Sequence, residues 1–400
     1  MTQQVRITHT INLPDPTRLA RYKRVPELGP KTLFFSGGSA LKKLSQALIH
    51  YTHNSIHLIT PFDSGGSSAQ LRKAFQMLAV GDLRNRLMAL ADQSIKGNPE
   101  IYELFAYRFS KNADQKELYH KLNNMILKKD SMVNKIPSPM RKIIRNHLGY
   151  FLANMPQDFD LRGASIGNLI LAGGYLNNSR HIDPVIYLFS KLVEVKGIVR
   201  PVTSKYLHLA AELENGKVIV GQHRLTGKET LPIQSPVKKL FLTKNPGSIE
   251  PVDVEIREKT KELIQQAELI CYPMGSYYSS IIANLLTKGV GQTISENPCP
   301  KVYIPNSNTG HDPEEIGLSL SQRVETLLEY LKRSCYQPVS NEQLLNFVLI
   351  DQRIARQYPP SELDHIKNLG VEVLNVPLTN GNNHNYLDEH CIIHILLSLI

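Results

Sequence analysis

The sequence contains no tryptophan and only four cysteines among its 400 residues. The cysteines are Cys271, Cys299, Cys335 and Cys391, and no two of them have the spacing of a CxxC motif or of a zinc site. This scatter argues against a disulfide framework and against a structural zinc centre. We therefore predict four free thiols in a reducing compartment.

Long apolar runs are also missing. A helix that spans a bilayer needs about 18 apolar residues, whereas the longest apolar run here, Cys391 to Ile400, is interrupted by His394. We interpret this run as a buried terminal helix or strand. The first residues, "MTQQVRITHTINLPDP", lack the basic and then apolar pattern of a secretion signal. The expected location is cytoplasmic, with no membrane partner.

Basic residues outnumber acidic ones, 46 to 36, which gives a formal net charge of +10. The basic residues are dispersed, and the longest basic runs are pairs such as Lys42-Lys43. Nucleic-acid binding would call for a concentrated basic stripe with interleaved aromatic residues. The charge balance favours an anionic small-molecule ligand instead.

The first regular pattern is a strand, a glycine turn, a helix and a second strand. Thr32 to Ser36 is short, apolar and aromatic-rich, as buried strands are. "GGS" ends it, "ALKKLSQALIHY" has apolar residues at helical spacing, and Ser55 to Thr60 is a second strand. This order is typical of a βαβ unit in a parallel sheet.

The same alternation continues through the rest of the chain. Helices are predicted in "SIGNLILAGGYL", after Pro184 and between Ser319 and Arg333. Strands are predicted in "AELICYP", "KVYIP", "NFVLID" and "VEVLNVP", with "GSYYSS" as a loop and "IIANLLTKG" as the helix after it. "YLHLAAEL" and "KVIVGQHRL", joined by an Asn-Gly turn, predict a β-hairpin. The predicted fold is α/β: a Rossmann-like, mostly parallel sheet with helices on both faces, plus a helical insertion and a β-hairpin.

The predicted organisation is one domain with additions. Residues 1–30 are interpreted as an N-terminal extension on the surface. Residues 31–318 form the α/β core, with a lysine- and tyrosine-rich helical insertion at about 99–156, and residues 319–400 complete the same domain.

Three glycine-containing loops follow predicted strands. They are Ser36-Gly37-Gly38-Ser39, Asp63-Ser64-Gly65-Gly66-Ser67-Ser68 and Gly275-Ser276-Tyr277-Tyr278-Ser279-Ser280. In parallel α/β sheets, ligands bind beyond the carboxyl ends of the strands. Glycine lets backbone N–H groups approach an anion, and a helix start adds unpaired donors. We therefore predict that the three loops converge on one phosphate or diphosphate site, with Arg72 or Arg84 completing it.

Two aspartates near these loops have alternative interpretations. Asp63 and Asp82 each precede a helical pattern, so each could be a helix N-cap. Because Asp63 stands before two glycines, we favour for it Mg²⁺ ligation or activation of an attacking hydroxyl. Arg84 and Asn85 lie on the first turn after Gly81, where they could meet phosphate oxygens or simply face solvent.

Other catalytic patterns do not fit the sequence. His50, His53 and His57 are interpreted as scattered histidines rather than a metal site, because His57 falls in a predicted strand. The sequence has no GxSxG nucleophile elbow and no Walker A lysine, which argues against acyl-enzyme chemistry and P-loop hydrolysis.

Several blocks together resemble one known family. "GGS", "DSGGSSAQLR", "GDLRNRLMALAD", "IGNLILA", "RPVTSKYLHLAAELENGKVIVGQHRLTG", "GSYYSSIIANLL" and "KVYIPNSNTG" are similar, in this order, to the signature blocks of the 2-phospho-L-lactate transferase (CofD)/YvcK family. Within the family, the chain looks closest to a divergent bacterial CofD-like branch associated with the so-called GAK system.

The resemblance implies one of two functions. CofD-type enzymes transfer a phospho-acyl-type group from a nucleotide diphosphate conjugate to an acceptor hydroxyl with Mg²⁺, whereas YvcK-type members bind UDP-sugars or dinucleotides as regulators. Both imply a diphosphate-bridged nucleotide over a Rossmann-like sheet, and we expect a homodimer that binds no nucleic acid. A thermal-shift panel of nucleotides with and without Mg²⁺ would discriminate the ligands.

The resemblance also implies roles for individual residues. Asp63, Asp82 and Arg84 are the expected catalytic residues, and Asp63 is the expected metal ligand. The expected ligand-binding residues are Gly37, Gly38, Ser39, Gly65, Gly66, Ser67, Ser68, Arg72, Asn85, Asn168, Gly275, Ser276, Tyr278, Ser279 and Asn284. The sequence departs from the family pattern where Ser64 replaces the second of two paired aspartates, and where Ala40 and Ala69 replace glycines.

Overall fold

The computed structural model describes residues 10–94, 97–227, 230–306, 312–380 and 387–400. The start of the predicted N-terminal extension and the end of the "KVYIPNSNTG" block lie outside these ranges. The strands are β1 (Thr32–Ser36), β2 (Ile56–Ile59), β3 (Ile198–Pro201), β4 (His208–Leu213), β5 (Val218–Val220), β6 (Val237–Thr243), β7 (Leu269–Tyr272), β8 (Lys301–Tyr303), β9 (Phe347–Asp351) and β10 (Glu372–Val376).

Helices connect most of these strands. They are α1 (Pro16–Arg24), α2 (Lys42–Leu48), α3 (Gly66–Phe75), α4 (Gly81–Ala89), α5 (Pro99–Ala106), α6 (Gln115–Ile126), α7 (Ser131–Lys135), α8 (Ser138–Asn154), α9 (Ile166–Asn177), α10 (Asp183–Leu192), α11 (Gln222–Thr226), α12 (Glu258–Gln265), α13 (Ala283–Leu285), α14 (Val290–Glu296), α15 (Leu320–Arg333), α16 (Pro360–Asn368) and α17 (Glu389–Ser398). A π-helical turn, Tyr277–Ile282, precedes α13. Within the described ranges, no helix combines the length and apolar composition needed to cross a bilayer.

A seven-stranded sheet forms the centre of the molecule in the order β10-β9-β8-β7-β1-β2-β3, and its neighbouring strands pair in parallel. Alternate side chains of β1 pack on opposite faces, because side chains along a strand alternate. Leu33 and Phe35 belong to one apolar cluster, and Phe34 belongs to another. Both faces are therefore covered, and the predicted α/β fold with a mostly parallel sheet is confirmed.

A smaller antiparallel sheet, β5-β4-β6, includes the predicted hairpin. The hairpin turn lies at Gly216, whose φ of 82° suits glycine. Two details of the prediction are wrong. Strand β5 ends at Val220, and the following residues form α11 rather than more strand. Tyr277 to Ser280, the end of the predicted loop "GSYYSS", belongs instead to the π-helical turn Tyr277–Ile282.

The chain before β1 contains a helix that the sequence did not indicate. Asp15 caps α1 by accepting a hydrogen bond from the Arg18 backbone N–H at 3.0 Å, and a proline occupies the first turn. The Arg18 guanidinium donates to the carbonyls of Ser398 and Ile400. The two ends of the described chain are therefore tied together.

Candidate functional site

The three glycine loops meet at one edge of the central sheet. They follow β1, β2 and β7, which are neighbours in the order β7-β1-β2, so parallel pairing brings their carboxyl ends together. A cavity of about 650 Å³ lies at this edge and is lined by residues of all three loops. From the predicted set it includes Gly37, Gly38, Ser39, Gly65, Gly66, Ser67, Ser68, Gly275 and Ser276. The predicted convergence of the loops is confirmed.

Gly38 and Gly275 have identifiable reasons to be glycine. A Cβ atom on Gly38 would collide with the Asp82 carboxylate. Gly275 has a φ of 144°, a conformation that side chains disfavour. Its backbone N–H donates to Asn306 Oδ1 at 3.0 Å, and Asn306 Nδ2 donates back to its carbonyl at 2.9 Å. The first loop therefore fits closely against α4, and the third is fixed by a side-chain amide.

Asp63 and Asp82 both line the cavity. Asp63 Oδ1 accepts a hydrogen bond from the Gly65 backbone N–H at 3.1 Å. The residue that caps α3 is Gly65, and no side chain caps that helix. Asp82 is the second residue of α4, which begins after Val80 without a side-chain cap. The N-cap interpretation is therefore wrong for both aspartates.

Arg84 and Asn85 also line the cavity. The Arg84 guanidinium donates to Ser165 Oγ and to Asn85 Oδ1. Burial, together with the nearby charge of Arg108, lowers the pKa of Arg84 to about 10, and Asp82 acts in the opposite direction. Arg84 thus stays protonated at neutral pH and offers a positive charge to an anion.

Arg86 was missed by the sequence reasoning. It is fully buried and donates to the Leu41 carbonyl at 2.8 Å and to the Gly37 carbonyl at 3.0 Å. Burial lowers its pKa to about 10, and the charge of Asp82 raises it. Arg86 therefore holds the first glycine loop from behind. One feature of the sequence could have indicated its burial: Arg86 is a charged residue directly before the apolar run that begins at Leu87.

Four predicted ligand-binding residues lie outside the cavity lining: Arg72, Tyr278, Ser279 and Asn284. The Arg72 guanidinium donates to the carbonyls of Pro61 at 2.8 Å and Leu207 at 2.6 Å, so it joins α3 to β4. Burial lowers its pKa to about 10. Arg72 is therefore a structural cation rather than part of a phosphate shell.

The other three residues, Tyr278, Ser279 and Asn284, lie in the π-helical turn and in α13 and are buried in the protein interior. Tyr278 Oη donates to the Val237 carbonyl at 3.3 Å, and the Ser279 backbone N–H donates to Glu314 Oε2 at 2.8 Å. Asn284 Nδ2 donates to the Ser280 carbonyl at 2.7 Å. These contacts hold the third loop in place from the protein interior. The prediction that Tyr278, Ser279 and Asn284 contact the ligand directly is therefore wrong.

Two buried amide side chains line the cavity with an unsatisfied oxygen. Asn168 Nδ2 lies 3.4 Å from Ser67 Oγ, but Asn168 Oδ1 has no partner among the described residues. Gln222 Oε1, on α11, likewise has no partner within the described ranges. Since buried polar atoms are usually hydrogen-bonded, both oxygens can accept from a ligand or from water. Asn168 was predicted from the resemblance, whereas Gln222 was missed.

Ser64 replaces the second aspartate of the family pattern and contacts a histidine. Ser64 Oγ lies 2.8 Å from His223 Nδ1, and His223 lines the cavity. Gly221, with a φ of 110°, leaves space for this pair, because a Cβ there would lie 2.8 Å from His223 Cε1. The contact links the second glycine loop to α11 across 159 residues of sequence, a separation that hides it from sequence reasoning.

Similarity to known proteins agrees with this geometry. Residues 33–379 match the family described as 2-phospho-L-lactate transferase CofD. The chain belongs to the CofD family. This confirms the resemblance inferred from the sequence blocks.

Two curated relatives are similar over nearly their whole length. The gluconeogenesis factor of Bacillus subtilis (strain 168) is 27% identical over 380 residues, which cover 93% of this chain and 98% of the relative. A putative gluconeogenesis factor of Thermoanaerobacterium thermosulfurigenes is 29% identical over 377 residues, covering 93% and 97%.

A solved structure has the same fold. A UPF0052-family protein from Bacillus halodurans superposes with a TM-score of 0.65 at 21% identity, over 92% of this chain and 99% of that protein. At this identity the comparison bears on the fold alone. The α/β architecture is thus shared with this UPF0052-family protein.

Proposed function

We propose that the protein binds a nucleotide diphosphate conjugate in the cavity and transfers its phospho-acyl-type group to an acceptor hydroxyl. The observation that carries this proposal is the assembly of three glycine loops, Asp63, Asp82 and Arg84 around one cavity. Backbone N–H groups and an arginine suit the oxygens of a diphosphate. Carboxylates beside them suit an attacking hydroxyl.

In the proposed reaction, the acceptor hydroxyl attacks the phosphorus that carries the acyl-type group, and the bond from that phosphorus to the bridging oxygen breaks. The nucleoside monophosphate leaves with that oxygen. Asp63 takes the hydroxyl proton or orients the hydroxyl. Arg84 and the glycine loops stabilise the negative charge that develops on the phosphate oxygens.

The oxygen donors at this site fit Mg²⁺, which commonly takes one or two protein carboxylates and keeps several waters. Asp63 would hold the ion together with ligand phosphates. Ser64 Oγ is hydrogen-bonded to His223 Nδ1 at 2.8 Å, so we do not assign it as a ligand of the metal. Bound Mg²⁺ would neutralise phosphate charge. We expect weak metal binding to the protein alone and tighter binding when a diphosphate is present.

A second candidate function is regulatory binding without turnover, as in a sensor of a UDP-sugar or dinucleotide. Two observations favour it. The curated relatives that match nearly the whole chain carry the name gluconeogenesis factor. Ser64 stands where the family pattern has a second carboxylate, which reduces the acidic groups available for chemistry.

A thermal-shift panel tests the proposed ligand class. The panel contains GDP, UDP-glucose, NAD and a deazaflavin, each with and without Mg²⁺. A ligand that binds only the folded protein at 100 times its Kd stabilises it by about 2.7 kcal/mol and raises its melting temperature. We expect at least one diphosphate nucleotide to do so, more strongly with Mg²⁺. If no diphosphate shifts the melting temperature, the proposed function is wrong.

Turnover then separates the two candidate functions. Conjugates that bind are incubated with deazaflavin or another hydroxyl acceptor, and release of nucleoside monophosphate is followed by phosphorus NMR. Release that requires the acceptor supports the transferase. Tight binding with no release from any conjugate supports the regulatory binder.

A further inference from the structure

The third glycine loop is held by a series of polar contacts from residues that do not line the cavity. Asn306, which follows β8, contacts the Gly275 backbone at both its N–H and its carbonyl, at 3.0 and 2.9 Å. Asn306 Nδ2 also donates to Glu315 Oε1 at 2.8 Å. The Arg323 guanidinium, on α15, donates to Glu315 Oε2 at 2.8 Å. We call Asn306, Glu315 and Arg323 the loop clamp.

The inner end of the loop clamp is a buried ion pair. The side chains of Arg323 and Glu315 are 1% and 3% exposed. Burial raises the pKa of Glu315, and the charge of Arg323 acts in the opposite direction. Bringing two charges out of water costs about as much as their attraction returns, so such a pair contributes little net stability. Its consequence here is a fixed direction for the Glu315 carboxylate.

This carboxylate determines which way the amide of Asn306 points. A carboxylate only accepts hydrogen bonds, so the amide nitrogen must face Glu315. The two hydrogens of that nitrogen serve Glu315 and the Gly275 carbonyl, and the amide oxygen accepts from the Gly275 N–H. A reversed amide would set its oxygen against two acceptors. The ion pair therefore fixes the one orientation of Asn306 that satisfies both backbone groups of Gly275.

Gly275 is the point at which the loop clamp reaches the site. Gly275 and Ser276 line the cavity, whereas none of the three residues of the loop clamp does. The φ of 144° at Gly275 is a conformation that the contacts with Asn306 hold in place. The loop clamp can therefore act on a ligand only through the backbone of this loop.

We propose that Asn306, Glu315 and Arg323 are positioning residues, which hold the Gly275 backbone in the shape that a diphosphate meets. This proposal rests on the proposed function, because it assumes that a diphosphate occupies the three glycine loops. Ordering a mobile segment during binding lowers affinity. The loop clamp orders the segment in the free protein.

The first test is Asn306→Ala, which removes the contacts with Gly275 and leaves the Glu315–Arg323 pair intact. Hydrogen–deuterium exchange of the Gly275 amide, resolved by electron-transfer fragmentation, should become faster by about tenfold or more. Affinity for GDP or UDP with Mg²⁺, measured by calorimetry on the full-length protein, should fall about fivefold to tenfold. The matched control is Asn341→Ala: that side chain donates to the Leu369 carbonyl at 2.8 Å and is not part of the cavity lining.

The second test asks whether Glu315 acts through Asn306. Asn306→Asp sets a second carboxylate against Glu315, and like charges repel, so affinity should fall about tenfold or more. Adding Glu315→Gln supplies an amide that can donate to the introduced aspartate and leaves a single carboxylate in the loop clamp. The double variant should therefore bind about fivefold more tightly than Asn306→Asp alone, a rescue that a general loss of stability would not produce.

Glu314→Gln is the matched control for this rescue. Glu314 is also buried, and its Oε2 accepts from the Ser279 N–H at 2.8 Å. Burial, together with the nearby charge of Asp312, raises the pKa of Glu314 to about 8, so this carboxyl is mostly protonated at pH 7. Glutamine is a close substitute for a protonated glutamate. Adding Glu314→Gln to Asn306→Asp should therefore give no rescue.

Four results would overturn the proposal in distinguishable ways. Unchanged exchange at Gly275 in Asn306→Ala would mean that Asn306 does not hold the loop. Faster exchange with unchanged affinity would mean that binding does not use the order of the loop, while the proposed function stands. Absence of rescue in the double variant, with melting temperatures that show folded protein, would remove Glu315 from the loop clamp. Failure of GDP and UDP to bind the unmodified protein would refute the proposed function and the positioning role with it, whatever the exchange at Gly275.

Discussion

At the scale of single residues, the site depends on side chains that are fixed before any ligand binds. Asp63 Oδ1 accepts from the Gly65 N–H, and Arg84 donates to Ser165 and Asn85. Arg86 holds the Gly37 carbonyl from the protein interior. Such fixed groups do not have to be ordered again when charge develops on a ligand, which is the advantage of a preorganised site.

Asp63→Asn should remove the effect of Mg²⁺ on nucleotide binding, because the variant lacks the carboxylate that we assign to the metal. Without Mg²⁺, the affinity for a diphosphate should stay within about tenfold of the unmodified protein, or about 1.4 kcal/mol. Calorimetry with and without Mg²⁺ measures both quantities. An unchanged Mg²⁺ effect in the variant would exclude Asp63 as the metal ligand. For a transferase, the same change should also abolish turnover.

Arg84→Met should weaken binding of a diphosphate by about 1.5–3 kcal/mol, the range for a lost charge-assisted hydrogen bond. The matched control is Arg21→Met, an exposed arginine on α1 away from the cavity lining. Calorimetry of both variants gives the difference. If the Arg84→Met and Arg21→Met variants bind the diphosphate equally well, Arg84 has only a structural role, through its hydrogen bonds to Ser165 and Asn85.

At the scale of elements, the sequence was informative where a strand is buried and apolar. Strands β1, β2 and β7 have buried residues throughout and were predicted. Strand β3 was missed because it is a short edge strand that ends in Pro201, and edge strands tolerate proline. Strand β6 was missed because two adjacent exposed lysines interrupt its alternation.

Two other local errors have a common cause. Tyr277 to Ser280 follow a glycine-serine pair and were predicted as a loop, whereas the start of α11 follows Gly221 and was predicted as the end of a strand. Each segment is stabilised by distant residues: Glu314 accepts from the Ser279 N–H, and Ser64 contacts His223. Tertiary contacts of this kind override local propensity and cannot be derived from a short window of sequence.

The junction of α3 and β4 should respond to acid. Arg72 Nη2 lies 3.2 Å from His208 Nδ1, and burial together with this cation lowers the pKa of His208 to about 4. In the unfolded chain the pKa of histidine is about 6.5. Between about pH 4 and pH 6.5, the unfolded chain therefore binds a proton at His208 that the folded protein does not bind. This contribution to stability is present above pH 6.5 and is lost as the pH falls towards 4.

His208→Asn keeps a hydrogen-bond acceptor and removes the titrating group. Relative to this variant, the unmodified protein should lose about 2 kcal/mol of unfolding free energy between pH 7 and pH 5. Urea denaturation at the two pH values measures the difference. Parallel pH dependence of the two proteins would show that His208 is not a buried neutral histidine beside Arg72.

At the scale of the whole molecule, parallel pairing is what made part of the site predictable. Once β1, β2 and β7 are recognised as strands of one parallel sheet, their following loops must lie at the same edge, and the structure places them around one cavity. The cations Arg108, Lys111 and Arg162, which line the same cavity, could not be derived in this way. Arg108 and Lys111 reach the cavity through the bridge between Arg108 and Ser165, and their helical surroundings resemble an ordinary solvated surface.

The central claim is that a nucleoside diphosphate binds across the three glycine loops. A crystal structure of the protein with GDP and Mg²⁺, or with UDP if the thermal-shift panel favours uracil, tests it most directly. The account predicts density for the diphosphate between Gly38, Gly66 and Gly275, with Arg84 on a phosphate oxygen and Asp63 on the metal. A nucleotide bound elsewhere, such as the groove between α6 and α8 beside Lys142 and Tyr150, would contradict it.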